Sequence, residues 1–176
     1  MNIKEGIEKR FSVRAFTDEV PSMDIIKDIL KMANSAPSGG NIQPWKVYVL
    51  NETSKSKLAE KTLHNFDNGI QEEIEYDIYP KPLADEYKKR RYECGADMYN
   101  ALSIEKDDLD SRFKQIRENY NFFGAPLGMI ITIDRSFGNN GWGHVGMFLE
   151  NLWLSAIHHG LGLCLQESWS IYPKTV

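Results

Sequence analysis

The 176-residue sequence predicts an α+β fold: a single domain over residues 1–176, with one central mixed or antiparallel sheet flanked by helices. Three observations carry that expectation. Stretches with helical periodicity outnumber those with strand character. Two short apolar runs, Lys46 to Leu50 and Gly128 to Ile133, are the clear strand candidates. No internal repeat or low-complexity linker divides the chain, and its length and 41% hydrophobic content suffice for a sizeable core.

Each element has its own signal. Ile3 and Ile7, four apart, predict a short first helix before the Arg10–Phe16 segment. Pro21-Ser22 opens a second helix with Ser22 as N-cap and Ile25, Ile26, Ile29, Leu30 and Ala33 as its apolar stripe. That helix must end before Pro37, because the residue preceding a proline is pushed out of the α region. Lys46 to Leu50 predicts a strand, and Ser54 to Asn65 a third helix with Leu58, Leu63 and Phe66 partly on one side. Residues 67–82, acidic, aromatic and broken by proline, predict a loop or lid. Helices follow over residues 83–101 and 107–121. The unbroken run Gly128-Met-Ile-Ile-Thr-Ile133 predicts a central strand buried on both faces. Gly143 to His159 predicts a helix stopped by Gly160, and Leu161 to Leu165 an extended segment.

Bulk chemistry narrows the function. A net charge of −4 argues against nucleic acid or an anionic membrane as the main partner. The one basic run, Lys88-Lys89-Arg90-Arg91, reads as the solvated face of a helix. Cys94 and Cys164 give neither a disulfide framework nor a C-x-x-C site, which fits a reducing cytoplasm. The charged N-terminus lacks an apolar signal region, and Val145 to Ile157, interrupted by Glu150 and Asn151, is too short to span a bilayer. His158-His159 fits a helix C-terminus, and Cys164 among leucines fits a core. Trp142, Trp153 and Trp169 fit buried aromatics.

Three segments carry candidate chemistry. In Arg10-Phe-Ser-Val-Arg14, an extended backbone would place Arg10, Ser12 and Arg14 on one face, where two guanidiniums flanking a hydroxyl suit a phosphate. The same pattern also suits an edge strand with exposed arginines. In Ala36-Pro-Ser-Gly-Gly-Asn-Ile-Gln-Pro-Trp45, the side chains of Ser38, Asn41 and Gln43 both donate and accept hydrogen bonds, and Gly39-Gly40 admits close backbone approach. Such a loop suits a heteroaromatic edge or a polyol, or a plain helix-to-strand turn. In Gly160-Leu-Gly-Leu-Cys-Leu-Gln-Glu-Ser168, an apolar stretch emerges beside Gln166 and Glu167.

Together these three segments, in this order and spacing, resemble the nitroreductase family of FMN-dependent oxidoreductases across essentially the whole chain. The resemblance implies a twofold homodimer with FMN at the subunit interface. Carried onto this sequence, Arg10, Ser12 and Arg14 would contact the FMN phosphate and the polar edge of the flavin. Ser38, Gly39 and Asn41 would reach the flavin held mainly by the partner subunit, with Gln43 in the same loop. Gln166 and Glu167 would lie in the backbone segment facing flavin N5, and the helix over Val145–Ile157 in the dimer core. The implied activity is ping-pong reduction of nitroaromatics, quinones or similar small-molecule acceptors with NADH or NADPH. No catalytic side chain and no metal are implied, and Arg14 is the candidate for stabilising negative charge at the flavin N1/O2 edge. A flavin-binding protein of the same fold without efficient turnover, or a family member with another reductive activity, is the alternative. The sequence departs from the family pattern at Phe11, where a polar residue is common. It also ends at Val176, where family members continue into a further strand, a basic segment and an arm; the expectation there is weakened FMN retention or an altered dimer.

Overall fold

Ser22 caps its helix as the sequence requires: its hydroxyl accepts from the Ile25 N–H at 3.3 Å. The resulting helix, α2 (Met23–Ala33), buries Ile26, Ile29 and Ala33 and leaves its charged residues outside. A computed structural model describes residues 2–176. It places α1 at Ile3–Lys9, β1 at Trp45–Leu50, α3 at Glu52–Asp67, α4 at Asp85–Ala101, α5 at Leu109–Arg117, β2 at Gly128–Ile133 and α6 at Asn140–His158. Short 3₁₀ turns occupy Gly39–Asn41, Glu118–Gly124, Arg135–Phe137 and Ser168–Ile171. The chain forms two compact units.

The first unit takes the described residues up to Lys55 together with Gly124–Leu165. Its sheet is a two-stranded antiparallel pair in which Trp45 faces Ile133, Val47 faces Ile131 and Tyr48 faces Ile130. Alternation sends Trp45, Val47 and Ile131 into the core with Ile29, Ala33, Phe148, Leu152 and Ala156, so α2 and α6 cover this one face. Trp45 stacks on Phe148 with ring centroids 4.9 Å apart. The expectation of a strand buried on both faces is corrected here. Lys46, Tyr48 and Thr132 are exposed on the opposite face, and Ile130 shares that face with Tyr48. An unbroken apolar run conceals which of its residues point inward, whereas the alternating partner strand reveals it.

One further expectation changes in this unit, that of a buried Trp142. The first helix forms, with Asn2 and Glu5 in a capping box, but Ile3 and Ile7 are 79% and 56% exposed. Glu150 lies on the open side of α6, and Trp142 near the start of that helix is 44% exposed rather than buried. Trp153 is buried as expected.

The second unit takes Ser56–Phe123 and Gln166–Val176. Its core is aromatic. Tyr120 meets Trp169 and Tyr172 edge-on at 5.8 and 5.4 Å, Phe122 lies 4.4 Å from Trp169, and Phe66 joins Phe113 to Tyr120. The Glu72 carboxylate accepts hydrogen bonds from the backbone N–H groups of Lys174 and Thr175 and from the Thr175 hydroxyl, tying residues 172–176 down. Arg117 grips Asp67 through two parallel bonds of 2.8 and 2.9 Å. The helix expected over 107–121 stops at Arg117; the chain tightens into the 3₁₀ turn over Glu118–Gly124, and Phe122, Phe123 and Gly124 are left-handed.

Candidate functional site

In the first unit, Ser12 forms a parallel bridge with Leu163, and the Val13 N–H donates to the Leu163 carbonyl at 3.1 Å. The 10–14 segment is therefore extended, and it is anchored on the 161–165 segment. Gly162 is required at this junction: a Cβ there would sit 2.8 Å from the Val13 side chain. The Arg10 guanidinium lies 4.4 Å above the ring of buried Trp153, a cation–π contact that fixes it. Arg14 is exposed and its Nη1 donates to the Ser12 carbonyl at 3.5 Å. Cys164 sits beside these groups; burial pushes its thiol up and the Arg14 charge pulls it back only in part. It is thus held as a thiol and not as a nucleophile.

The 36–45 loop is a built structure rather than a bare connection. Ser38 Oγ accepts from the Gln43 N–H at 2.9 Å, and the Asn41 N–H donates to the Ser38 carbonyl, closing a tight turn. Gly40, Asn41 and Gln43 adopt φ of 59°, 56° and 49°, the left-handed region that glycine and asparagine tolerate and glutamine seldom visits. Gln43 is held there by Ser38 and by donating from Nε2 to the Asn34 carbonyl at 3.5 Å. Pro44 and Trp45 are buried, and the Trp45 indole N–H donates to Asn34 Oδ1 at 2.9 Å. The loop is thus pinned at both ends while Gly39, Gly40, Asn41 and the Gln43 side chain stay exposed. Gly39 packs closely on α6: a Cβ there would lie 3.4 Å from the His144 ring. The His144 Nδ1 is sealed from solvent without a hydrogen-bond partner.

This unit brings together, on one scaffold, the arginine segment with 161–165 and the polar loop with α6. That donor set fits FMN. Arg14 is an exposed guanidinium suited to a phosphate, and the pinned loop presents backbone and amide groups suited to a ring edge. Arg10 fits less directly, since Trp153 already occupies one face of its guanidinium.

Gln166 and Glu167 belong to the second unit. Gln166 is not left open for a ligand: its Nε2 donates to the Asn119 carbonyl at 2.8 Å and to Asn119 Oδ1 at 3.2 Å. Glu167 is exposed, and its carbonyl accepts from the Ser170 hydroxyl at 2.7 Å. Beside them, burial pushes the Tyr76 phenol above its ordinary value.

One feature escaped the sequence reading. Phe122, Phe123 and Gly124 carry φ of 53°, 51° and 73° in succession. Two consecutive left-handed phenylalanines cost roughly 1–2 kcal/mol each, and Phe122 is held there by burial against Trp169. Such strain collects where a loop must present a fixed surface. The only sequence signal was Gly124 directly after two aromatics.

With this geometry in hand, comparison with known proteins is direct. The model of the Nitroreductase family matches residues 7–173. A nitrobenzene nitroreductase of Ectopseudomonas oleovorans is 32% identical over 96% of this chain and 75% of its own length. A 4-nitrobenzoate reductase of Nocardioides sp. (strain LMS-CY) is 34% identical over 97% of this chain and 70% of its own. Among solved structures, an FMN- and NADPH-dependent nitroreductase from Sphigopyxis sp. strain HMH superposes with a TM-score of 0.94. It shares 35% identity and covers 100% of this chain and 79% of its own.

Proposed function

Because the chain belongs to the nitroreductase family, we propose that it is an FMN-dependent oxidoreductase that uses NADH or NADPH to reduce nitroaromatics, quinones or similar small acceptors. The observation that carries this reading is the pinned Ser38–Gln43 turn standing on the same scaffold as the Arg10–Arg14 segment. The chemistry supplied by bound FMN is hydride acceptance from the nicotinamide followed by delivery of electrons to the acceptor. The chain's own residues bind and orient. Arg14, with Ser12 and Arg10, holds the phosphate and places positive charge near the ring. Ser38, Gly39, Asn41 and Gln43 fix the ring edge, with Gly39 giving the backbone close access. Gln166 acts through its backbone, because its side chain is committed to Asn119. Glu167 flanks it at the start of the 168–171 turn. No side chain need move a proton, since water supplies it.

The finer reading includes a homodimer sharing the flavin, organised as one functional domain over residues 1–176. Support comes from the apolar side chains that the first unit leaves exposed: Ile3, Ile7, Phe11, Ile42, Trp142 and Met147. A reducing compartment such as the cytoplasm is supported by the unpaired Cys94 and Cys164. Among the described residues no helix is long and apolar enough to cross a membrane.

The deciding experiment is a visible spectrum of the purified protein, followed by anaerobic titration with each nicotinamide and then with 4-nitrobenzoate. Bleaching of the flavin band by NADH or NADPH, and its return on adding the acceptor, is the expected result. A protein that binds no FMN, or whose flavin neither nicotinamide reduces, overturns the proposal. Arg14→Gln should weaken FMN binding roughly 10–100-fold, the worth of one charge-assisted phosphate contact.

A further inference from the structure

The basic run on α4 is not uniform. Lys88 is paired with Asp85 at 3.0 Å, Lys89 with Glu93 at 3.8 Å and Arg90 with Glu86 at 3.7 Å, all three or four residues apart on the helix surface. Arg91 has no carboxylate at those spacings, since its helical neighbours are Tyr87, Lys88, Cys94 and Gly95. It turns instead onto the Tyr79 ring at 4.3 Å and lines a groove of about 540 Å³ within the second unit. Lys106 and Arg112 line the same groove, and no acidic residue does. Asp108, the acid two residues beyond Lys106, is engaged in capping α5, accepting from the Ser111 N–H at 3.0 Å. Among the described residues, Arg91, Lys106 and Arg112 form no ion pair.

Arg112 is held in place rather than waving in solvent. Its guanidinium lies 4.1 Å over the Tyr99 ring, and Nη1 donates to the Lys106 carbonyl at 3.1 Å. Its Nε is sealed from solvent with no hydrogen-bond partner. A fixed guanidinium beside two further cations lacking counter-charge is the donor set that a phosphate dianion completes. Tyr92, Ala96 and Ile104 give the groove an apolar bed beside these cations. Its volume matches a ligand of nucleotide size.

We propose that this groove, formed by α4 and the 104–112 segment, binds a phosphorylated aromatic small molecule of nucleotide size. Arg91, Lys106 and Arg112 take the phosphate, and the ring lies along Tyr92 and Ile104. The site is built wholly within the second unit and does not depend on the flavin reading.

The test is calorimetric titration of the FMN-loaded protein with adenosine 5′-monophosphate, with adenosine, inorganic phosphate and benzoate as separate arms. The monophosphate should bind with one site per chain and weaken as salt is raised, adenosine should bind at least about tenfold more weakly, and phosphate should compete. Arg112→Gln should weaken the monophosphate about tenfold or more while FMN content stays at the parental level. If Arg112→Gln fails to fold, the exposed double change Arg91→Gln with Lys106→Gln must show the same loss. Absence of monophosphate binding overturns the proposal, as does binding that both variants retain in full. Tighter binding of benzoate than of the monophosphate likewise rules out a phosphate site.

Discussion

Replacing Phe148 with alanine tests how the core holds the flavin loop. The side chain is 1% exposed and stacks on Trp45 at 4.9 Å, and Trp45 is the residue that ends the 36–45 loop. Buried Phe→Ala changes cost roughly 3–5 kcal/mol, and loss of the aromatic pair places this one in the upper half of that range. At roughly 2–4 °C per kcal/mol for a chain of this size, the melting temperature should fall by roughly 8–20 °C. Phe148→Leu keeps most of the volume and should cost less than half as much. Urea unfolding followed by circular dichroism and by tryptophan fluorescence measures both. A second readout separates packing from function. With Phe148 gone, Trp45 loses its stacking partner and keeps its 2.9 Å bond to Asn34 and its place among the rest of the core, so the base of the Ser38–Gln43 turn loosens and FMN affinity should drop as well. A loss of stability below about 1.5 kcal/mol would refute the packing argument. Parental FMN affinity in a clearly destabilised variant would refute the idea that this core positions the loop.

Other outcomes follow from single contacts. Ser38→Ala strips the acceptor from the Gln43 N–H and should weaken FMN binding about five- to tenfold, read by flavin fluorescence quenching. Asp67 is held below the usual carboxylate range, chiefly by its hydrogen bonds from Arg117. Its contribution is therefore present above the unfolded value near 3.8 and is lost as pH falls through the lower folded value. Because the pair is partly exposed, Arg117→Gln should cost no more than about 1 kcal/mol at neutral pH and flatten the acid limb of a urea-midpoint profile. Burial, with the neighbouring Tyr172 second, pushes the Tyr120 phenol up to about 12. The unfolded phenol ionises near 10 and the folded one does not, so stability should decline as pH rises from 10 towards 12, and Tyr120→Phe should make that decline shallower, leaving the share of Tyr76 and Tyr172, which burial also raises.

The helices that cap and pack by local rules were legible in the sequence. Ser22 and the α2 stripe need only neighbours three or four residues away, and both stand as read. The 36–45 loop was legible as a specific structure because Gly39, Gly40 and Asn41 announce unusual backbone. Its actual anchor, Ser38 Oγ on the Gln43 N–H, was not, since a left-handed glutamine has no sequence signature. Trp142 was misjudged for a different reason: an apolar stretch predicts a helix but not what, if anything, covers each of its faces within one chain. Residues 118–124 hid their geometry because tertiary packing on Trp169 overrides the local preference of Phe122. The partner of the Gln166 side chain, Asn119, is 47 residues away and invisible to any local pattern.

The Ser12–Leu163 bridge also has a consequence in time. It joins segments about 150 residues apart, so during synthesis Arg10–Arg14 must wait, undocked, until the 161–165 segment has left the ribosome. The segment proposed to hold the phosphate is thus made well before the chain it docks on. Folding intermediates that already contain α2 should therefore be unable to retain the cofactor.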